Sequence, residues 1–422
     1  MHTAVKIIRM ENNIQLPAFE SHSKKKQIFI LSAAFLSLLA VVGFAYYGIP
    51  FYFDFMSKEL DWSRATLTSG NAIGKVLVGP LFGFFAGWMT DRYGPRRMLM
   101  VGALFAGISL MGLSITSSLW MFYFFYVFNA LGYVFGGPLP CQVLLSRWFD
   151  KNRGKAMGIA YLGIGIGGTI VYPISVGLEN RFGWHTALFT LGLFVILIAV
   201  PLALFIKDSP VKSIAVDKID TFISIKSILK KRSFYLLAIG SMCSIGAVGG
   251  VFQHLKLYLR DLEFTQSQAG NIMSLVLLSS LIGRVIMGWL ADIIRRKYVM
   301  ILIYMIVASA IPLLLFPDFP GRMYIFAVIF GLGLGGDYMI IPLMAGDLFG
   351  VKVLGRVMGI ILVSDGVADA VSPVIVGYLY NDVSKSYTIG FIMLICIAIA
   401  GAIIVSFLPK ASENEDFNWE SQ

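Results

Sequence analysis

Charged residues are scarce in this sequence. Asp, Glu, Lys and Arg make up 14% of its 422 residues, whereas soluble globular domains average about 25%. Hydrophobic residues make up 57%, and the mean hydropathy is +0.78. A water-soluble surface does not tolerate that much exposed hydrocarbon. The composition therefore excludes an ordinary soluble domain and indicates that lipid surrounds most of the chain.

Residue types that carry enzyme or metal chemistry are also few. The three cysteines lie in or at the ends of apolar stretches without metal-ligand spacing, which is typical of packing residues, and the four histidines do not cluster. The sequence has no Ser-His-Asp arrangement and no phosphate loop followed by Lys and Ser or Thr. The glycine-rich segment 163–168 lies inside an apolar stretch with no preceding strand, which argues against a dinucleotide loop. We therefore predict that the protein is not an enzyme, binds no cofactor or metal, and draws on an ion or solute gradient.

Twelve hydrophobic runs follow one another along the chain, each close to the roughly 20 residues that one membrane-spanning helix needs. They lie at 28–53, 66–90, 97–117, 119–143, 155–177, 185–206, 233–257, 267–291, 299–316, 322–346, 355–379 and 386–408. Open sheet edges cannot face lipid, and the runs lack the alternation of barrel strands. Residues 1–27 are polar and lack the apolar core of a removable signal peptide. The sequence predicts an all-α integral membrane protein with twelve transmembrane helices.

The net charge of +10 is distributed unevenly among the loops. Basic clusters occupy alternate loops: Lys24–Lys26, Arg92/Arg96/Arg97, Arg147/Lys151/Arg153/Lys155, Lys226/Lys230–Arg232, Arg295–Lys297 and Lys352/Arg356. The intervening loops hold little beyond Lys58, Arg64, Arg181, Arg260, Arg322 and Lys385. This asymmetry follows the positive-inside rule with both termini in the cytoplasm. We predict a multi-pass protein of the plasma (inner) membrane that contacts the lipid bilayer and not nucleic acid.

The chain contains an internal repeat. Residues 87–91 (GWMTD) recur as 288–292 (GWLAD), and residues 153–159 (RGKAMGI) recur as 354–360 (LGRVMGI), both with an offset of 201 positions. Six spans fit in this offset, so the halves are parallel repeats related by an axis along the membrane normal, with a site expected between them. The predicted segments are a cytoplasmic tail (1–27), two six-helix halves (28–206 and 233–408), a cytoplasmic linker (207–232) and an acidic tail (409–422).

The loop after the second span carries a recognisable motif. Residues 87–97 (GWMTDRYGPRR) resemble the signature loop of the major facilitator superfamily, whose pattern is close to G-x-L-a-D-r-x-G-r-k. The resemblance implies a monomer with the major facilitator fold, in which Asp91 and Arg92 act in gating. Asp91 ends a helix, where it can meet basic groups or a neighbouring helix N-terminus. The alternative is a turn with topology-setting charges. Asp292 is present in the second copy, but Ile294 replaces the inner glycine.

Two stretches and one arginine narrow the resemblance. Residues 147–158 (RWFDKNRGKAMG) and 61–64 (DWSR) are similar to segments of monocarboxylate porters and oxalate–formate antiporters. In those porters an arginine at the position of Arg284 binds the substrate carboxylate, and its planar fork suits that contact. The pattern departs at Asp365, where oxalate–formate antiporters have lysine, and at Ser280, where monocarboxylate porters have aspartate. A doubly cationic oxalate site is therefore not expected.

Five ionisable residues lie well inside predicted spans: Lys75, Arg284, Asp337, Asp365 and Asp369. Each costs about 2.5–3.5 kcal/mol at mid-helix when unpaired, so they must face a wet cavity or one another. Asp365 and Asp369 share a helix face, and repulsion among three carboxylates favours protonation of at least one. We predict that Asp365, Asp369 or Asp337 carries a coupling proton while Arg284 holds the solute.

Several roles stay open at this point. Arg284 could form a fixed ion pair with Asp337 or Asp365, Asp337 could be a packing partner, and Lys75 could bind the solute or extend toward the outer surface. Further residues predicted to line the cavity and contact the solute are Tyr46, Tyr47, Asn129 and Tyr161.

The predicted function is secondary active transport of a small, monocarboxylate-like organic anion, coupled to protons and carried out by alternating access. A proton-driven exporter of a cationic or amphipathic compound is the alternative, because carboxylates outnumber cations in the second half. A sensor built on a transporter fold would typically add a soluble domain or a long tail, and only short termini flank the spans.

Overall fold

The computed structural model describes residues 24–74, 78–206, 225–316, 319, 321–380 and 386–409, and most of them are helical. Ten helical segments are long and apolar enough to cross a membrane. They are Lys24–Leu60, Pro95–Ser114, Leu119–Trp148, Arg153–Phe205, Arg232–Asp261, Ser267–Ile293, Arg296–Leu314, Arg322–Phe349, Leu354–Tyr378 and Thr388–Ser406.

Two features raise ten segments to twelve spans. Arg153–Phe205 has 53 residues and would be about 80 Å long if straight, more than twice a hydrocarbon core. It bends at Gly183, whose positive φ of 75° is non-helical, and the parts before and after this glycine are spans 5 and 6. Span 2 is described by Arg64–Ile73 and Gly79–Tyr93, which flank residues 75–77 outside the described ranges. The predicted twelve-helix architecture is confirmed.

Span 1 is longer and less regular than its predicted range. Its α-helix Lys24–Leu38 continues as a π-helix over Leu39–Tyr46, then as a 3₁₀ turn over Ile49–Tyr52 and a final helix over Phe53–Leu60. Single π-helical stretches concentrate at functional sites in proteins. This one ends at Tyr46, a residue predicted to contact the solute, so the irregular backbone lies beside the expected cavity.

In the second half, a short helix at Ile225–Leu229 precedes span 7. Span 9 ends in a 3₁₀ turn at Ile311–Leu314. The six spans of this half are Arg232–Asp261, Gln266–Ile293, Arg296–Ala310 with its 3₁₀ turn, Arg322–Phe349, Leu354–Tyr378 and Thr388–Ser406. Span 8 starts with a capping box in which Thr265 and Gln268 satisfy each other's backbone N–H groups.

Among the described residues, one buried core cluster extends across both halves, at one end of the molecule. A single cluster joins first-half side chains such as Trp148 and Met157 to second-half side chains such as Met287 and Phe349. Three further clusters are each confined to one half: one within residues 40–199, a small one of Ala86, Met98 and Phe135, and one within residues 247–398. The halves therefore share a sealed core at one membrane face and have separate cores toward the other. We call the sealed side the basic face, because it carries the loops around 94, 150, 294 and 351.

Candidate functional site

Asp91 joins the two halves at the basic face. Its carboxylate accepts hydrogen bonds from the backbone N–H groups of Gly355 at 3.0 Å and Arg356 at 2.9 Å, at the start of span 11. The side chain is 1% exposed, and the guanidinium groups of Arg147 and Arg356 lie 3.6 Å from it. A carboxylate at a helix N-terminus meets unpaired N–H groups and the positive end of the helix dipole.

Asp292 makes the matching contact in the other repeat. It accepts from the N–H groups of Gly154 at 2.7 Å and Lys155 at 2.8 Å, at the start of span 5. Both partners are displaced from those of Asp91 by the 201-residue offset of the repeat. Replacement of the inner glycine by Ile294 therefore does not remove the contact. Arg92 differs from both aspartates, because it is exposed and its guanidinium lies over the rings of Trp88 and Tyr93 on its own helix.

Glycines allow the helix backbones to touch beside these carboxylates. A Cβ atom added to Gly355 would lie 2.5 Å from the carbonyl oxygen of Gly87, and one added to Gly288 would lie 2.5 Å from that of Gly154. Real Cβ atoms do not approach other atoms this closely. Spans 2 and 11 and spans 5 and 8 are thus in direct backbone contact, which closes the basic face.

A cavity of about 170 Å³ lies between the halves, lined by spans 1, 2, 4, 7, 10 and 11. An engineered protein cavity of roughly 150 Å³ accommodates benzene, so this space suits a small solute. Its polar lining side chains are Tyr46, Tyr133, Tyr338, Asp365 and Asp369. Within the described ranges, no basic side chain lines it.

Arg284 lies next to this cavity, at the contact between spans 5 and 8. Its Nη1 donates to the backbone carbonyl oxygen of Tyr161 at 2.9 Å, and the phenols of Tyr47, Tyr161 and Tyr338 are close enough to interact with its charge. Among the residues that the structure describes, no carboxylate forms an ion pair with it. The alternative pairings with Asp337 or Asp365 are therefore absent from this conformation. Because Tyr338 also lines the cavity, it connects the arginine to the carboxylate side.

The three aspartates of the second half occupy different depths. Asp369 is half-buried, lines the cavity and lies against Gly249 of span 7. Asp365 is 3% exposed and accepts a hydrogen bond of 2.7 Å from Ser241 Oγ of span 7. Asp337 is 0% exposed, and neither of its oxygens has a hydrogen bond of normal geometry. Two of the three therefore lie at the cavity wall and one lies behind it.

Of the four other predicted contact residues, Tyr46 belongs to the cavity lining. Tyr47 is 45% exposed beside the cavity and packs edge-on against Tyr46. Asn129 is buried and donates to the carbonyl oxygen of Ala45 at 3.3 Å, so it supports the π-helical stretch of span 1. The Tyr161 hydroxyl is buried and bonded to Gln142 Nε2 at 2.5 Å.

Two further positions bear on the predicted site. Lys75 lies outside the described residues. Tyr133 lines the cavity and packs 4.9 Å from the ring of Tyr46, although the sequence had not singled it out. Its position one helical turn after Asn129, on the same face of span 4, was the available signal.

Comparison with known proteins decides the family. A family model described as Major Facilitator Superfamily matches residues 34–270 and 257–420. The chain belongs to the major facilitator superfamily. This membership and the geometry show a multi-pass membrane transporter of small solutes, not an enzyme.

Relatives of this superfamily member include transporters with different named substrates. Monocarboxylate transporter 13 of Rattus norvegicus is 25% identical over 395 residues, which cover 90% of this chain and 88% of the relative. The multi-drug resistance efflux pump PmrA of Streptococcus pneumoniae is 26% identical over 295 residues, 66% of this chain and 69% of the pump.

Two solved structures share the fold of this transporter. The proton:xylose symporter XylE, bound to 6-bromo-6-deoxy-D-glucose, superposes with a TM-score of 0.72 at 15% identity, covering 92% of this chain and 96% of the symporter. FucP in its outward conformation gives a TM-score of 0.71 at 13% identity, covering 91% and 99%. At these identities the likeness concerns the fold alone.

Proposed function

We propose that this transporter moves a small organic anion of the monocarboxylate type together with protons, as a monomer. The observation that carries the proposal is the guanidinium of Arg284, which lies between the halves with no carboxylate partner among the described residues. An unpaired cation within a membrane-spanning bundle is costly. A solute carboxylate would supply the missing partner, and the arginine fork can bind it through two parallel hydrogen bonds.

Protons are the proposed coupling ions, carried by the carboxylates of the cavity wall. Asp365 and Asp369 are four residues apart on span 11 and both line the cavity. Two neighbouring carboxylates do not readily ionise together, so one of them is suited to load and release a proton. Binding of an anion at Arg284 and of a proton at span 11 would add no net charge to the occupied site.

The proposed cycle is alternating access about this site. The basic face is closed by the Asp91 and Asp292 contacts, whereas the halves have separate cores toward the other face. The positive-inside rule makes the basic face cytoplasmic in a plasma membrane. The conformation described here would then admit solute from outside, and opening of the two carboxylate contacts would release it inside.

The first experiment is a substrate panel in proteoliposomes that contain the full chain. Uptake of short radiolabelled monocarboxylates is measured with and without an inward-acid pH gradient. We expect uptake that the gradient stimulates, and its loss in Arg284→Glu. Arg260→Gln, which removes an arginine exposed at the end of span 7, is the matched control and should retain uptake. Equal monocarboxylate uptake by Arg284→Glu and the unmodified protein would refute the assignment of Arg284.

The second experiment tests the coupling. The pH dependence of uptake is compared in Asp365→Asn, Asp369→Asn and the double variant. We expect at least the double variant to lose stimulation by the gradient while exchange of solute at equal pH persists. A double variant with an unchanged pH profile would remove the cavity carboxylates from the coupling mechanism.

A second candidate function is proton-driven export of a cationic or amphipathic compound. The lining of the cavity favours it, because the side chains there are carboxylates and tyrosines, which suit an organic cation. The partial similarity to PmrA is consistent with this alternative. Charge reversal at Arg284 separates the two functions: it should abolish transport of an anion and spare efflux of a cationic dye.

A further inference from the structure

A histidine outside the cavity lies where three spans of the first half meet. His185 is near the start of span 6, and its Nδ1 contacts the backbone carbonyl oxygen of Ser114, the last residue of span 3. Its Nε2 lies 2.9 Å from Glu59 Oε1, on the final helix of span 1. Span 3 starts beside the basic face at Pro95, so this meeting point lies at the opposite end of the molecule. One imidazole thus connects spans 1, 3 and 6.

Both oxygen atoms that face this ring can only accept hydrogen bonds. A backbone carbonyl carries no proton, and the second oxygen of the Glu59 carboxylate already accepts from Trp184 Nε1 at 2.6 Å. A neutral imidazole has one N–H group and a lone pair on its other nitrogen. One of the two contacts would then place a nitrogen lone pair against an oxygen lone pair. Only the imidazolium form of His185, which donates from both nitrogens, satisfies both contacts.

The surroundings of the ring also favour a positive charge. Ser114 ends the helix of span 3, where the last carbonyl groups lack helical partners and form the negative end of the helix dipole. Glu59 faces the ring from span 1, and among the described residues it is the charged group that interacts with His185. Both interactions are stronger with an imidazolium than with a neutral ring.

His254, the other histidine within the described residues, has partners that a neutral ring satisfies. Its Nε2 lies 2.8 Å from the carbonyl oxygen of Pro373, and its Nδ1 lies 3.5 Å from the hydroxyl group of Tyr387. Because a hydroxyl group can donate, a ring with one proton on Nε2 fulfils both contacts. His185 differs, because neither of its two partners has a proton to donate.

The contact with Glu59 fixes the last part of span 1. A 3₁₀ turn at Ile49–Tyr52 separates the helix Phe53–Leu60 from the π-helical stretch beside the cavity. Stretches of 3₁₀-helix within a longer helix often mark hinges. The chain turns directly after this final helix at Asp61, whose φ of 54° is left-handed. The position of the helix therefore also determines where span 2 begins.

We propose that His185 and Glu59 form a proton-operated latch that holds the end of span 1 against spans 3 and 6. When the proton leaves, the remaining N–H stays with the carbonyl of Ser114, because a buried acceptor without a partner is costly. The contact with Glu59 then opens. Histidine exchanges its proton between about pH 5 and 8, and a carboxylate stays ionised over that range. The latch is thus closed in mildly acid solution and opens as the pH rises.

The latch is separate from the proposed coupling site. Its proton binds at His185, outside the cavity, whereas the coupling proton is assigned to Asp365 and Asp369 at the cavity wall. The position of span 1 is a property of the protein without solute, so the latch can be tested in the absence of any solute.

The test measures the distance between two spin labels on the full-length protein in lipid nanodiscs. The labels are attached to cysteines that replace Lys58, an exposed neighbour of Glu59, and Ser117, which is exposed just after span 3. The native cysteines are replaced by serine. Pulsed dipolar spectroscopy records the distances at pH 6 and at pH 8.5. We expect one narrow distribution at pH 6 and a broader distribution, shifted to longer distances, at pH 8.5.

Variants of the two latch residues should remove this response to pH. His185→Gln and Glu59→Ala are each expected to give the broad distribution at both pH values. His254→Gln is the matched control, because it removes a histidine at the same end of the molecule, and it should preserve the response. Identical distributions at both pH values in the unmodified protein would overturn the proposal, as would a response that persists in His185→Gln or Glu59→Ala. Such a failure would leave the anion proposal untouched, since no solute is present.

Discussion

Replacement of Asp91 by asparagine is expected to open the basic face. Asparagine retains one acceptor oxygen but loses the charge that meets two N–H groups, the start of span 11 and two arginines. Charged hydrogen bonds contribute about 1.5–3 kcal/mol against about 0.5–1.5 for neutral ones, and a charge at a buried helix terminus adds up to about 2 kcal/mol. The closed state should therefore lose about 2–4 kcal/mol, a shift of roughly 30- to 700-fold in the conformational equilibrium.

The shift can be measured by cysteine accessibility. Leu362, at the cavity wall, is replaced by cysteine in a protein whose native cysteines are serine. A membrane-impermeant maleimide is then added from the basic face to vesicles of known orientation. We expect faster labelling in Asp91→Asn than in the parent protein.

Asp150→Asn is the matched control for this experiment. Asp150 lies at the same face, is 55% exposed and pairs only with Arg153 in its own half, three residues away. Exposed pairs of this kind contribute roughly 0–1 kcal/mol. Equal labelling rates in Asp91→Asn and Asp150→Asn, with unfolding midpoints unchanged, would show that the Asp91 contact does not hold the closed state. Because the repeat places Asp292 in the same contact, Asp292→Asn should accelerate labelling to a similar extent.

Three further predictions concern helix contacts. Gly87→Ala should prevent closure of the basic face, because the added methyl overlaps the carbonyl of Gly355. We expect the cavity cysteine to be labelled from that face at all times and transport to be lost. Normal transport would contradict the prediction. Asn129→Ala should leave a buried carbonyl of span 1 unsatisfied and destabilise the fold by about 1–3 kcal/mol with little change in solute KM, so a raised KM at unchanged stability would instead indicate direct solute contact. His185→Gln should weaken the contact with Glu59, which is half-exposed, by at most about 1 kcal/mol in thermal unfolding. A larger loss would show that the contact is more than a surface pair.

The number of spans, their helical nature and the twofold repeat could be predicted from the sequence. Each depends on a local property, the length of an apolar run or the spacing of a repeated motif. Distortions within helices were harder to predict, because the residues of the π-helical stretch Leu39–Tyr46 have the composition of an ordinary apolar helix. The stretch contains Gly43, which packs directly on Gly167, and Asn129 donates to the carbonyl oxygen of its Ala45.

At the candidate site, too, the residues could be predicted from the sequence but their contacts could not. Arg284, Asp337, Asp365 and Asp369 were found because charge in an apolar run is costly, and that cost is local. Their partners were not predictable, since the choice between an ion pair and an unpaired guanidinium depends on the rotation and separation of spans 5, 8, 10 and 11. Asn129 and Tyr161 were expected at the cavity, but packing engages Asn129 with backbone and the Tyr161 hydroxyl with Gln142.

The sequence by itself determined that this chain spans a membrane twelve times, in two parallel halves with ionisable groups between them. The length of an apolar run and the spacing of a repeated motif do not depend on how the chain packs. Only the tertiary structure decided that Asp91 and Asp292 each cap a helix of the opposite half and that Asp337 lies behind the cavity wall. It also decided that Arg284 pairs with none of the carboxylates in the described part of the chain. Contacts between residues more than a hundred positions apart depend on how the helices tilt and pack, and no local pattern encodes that geometry.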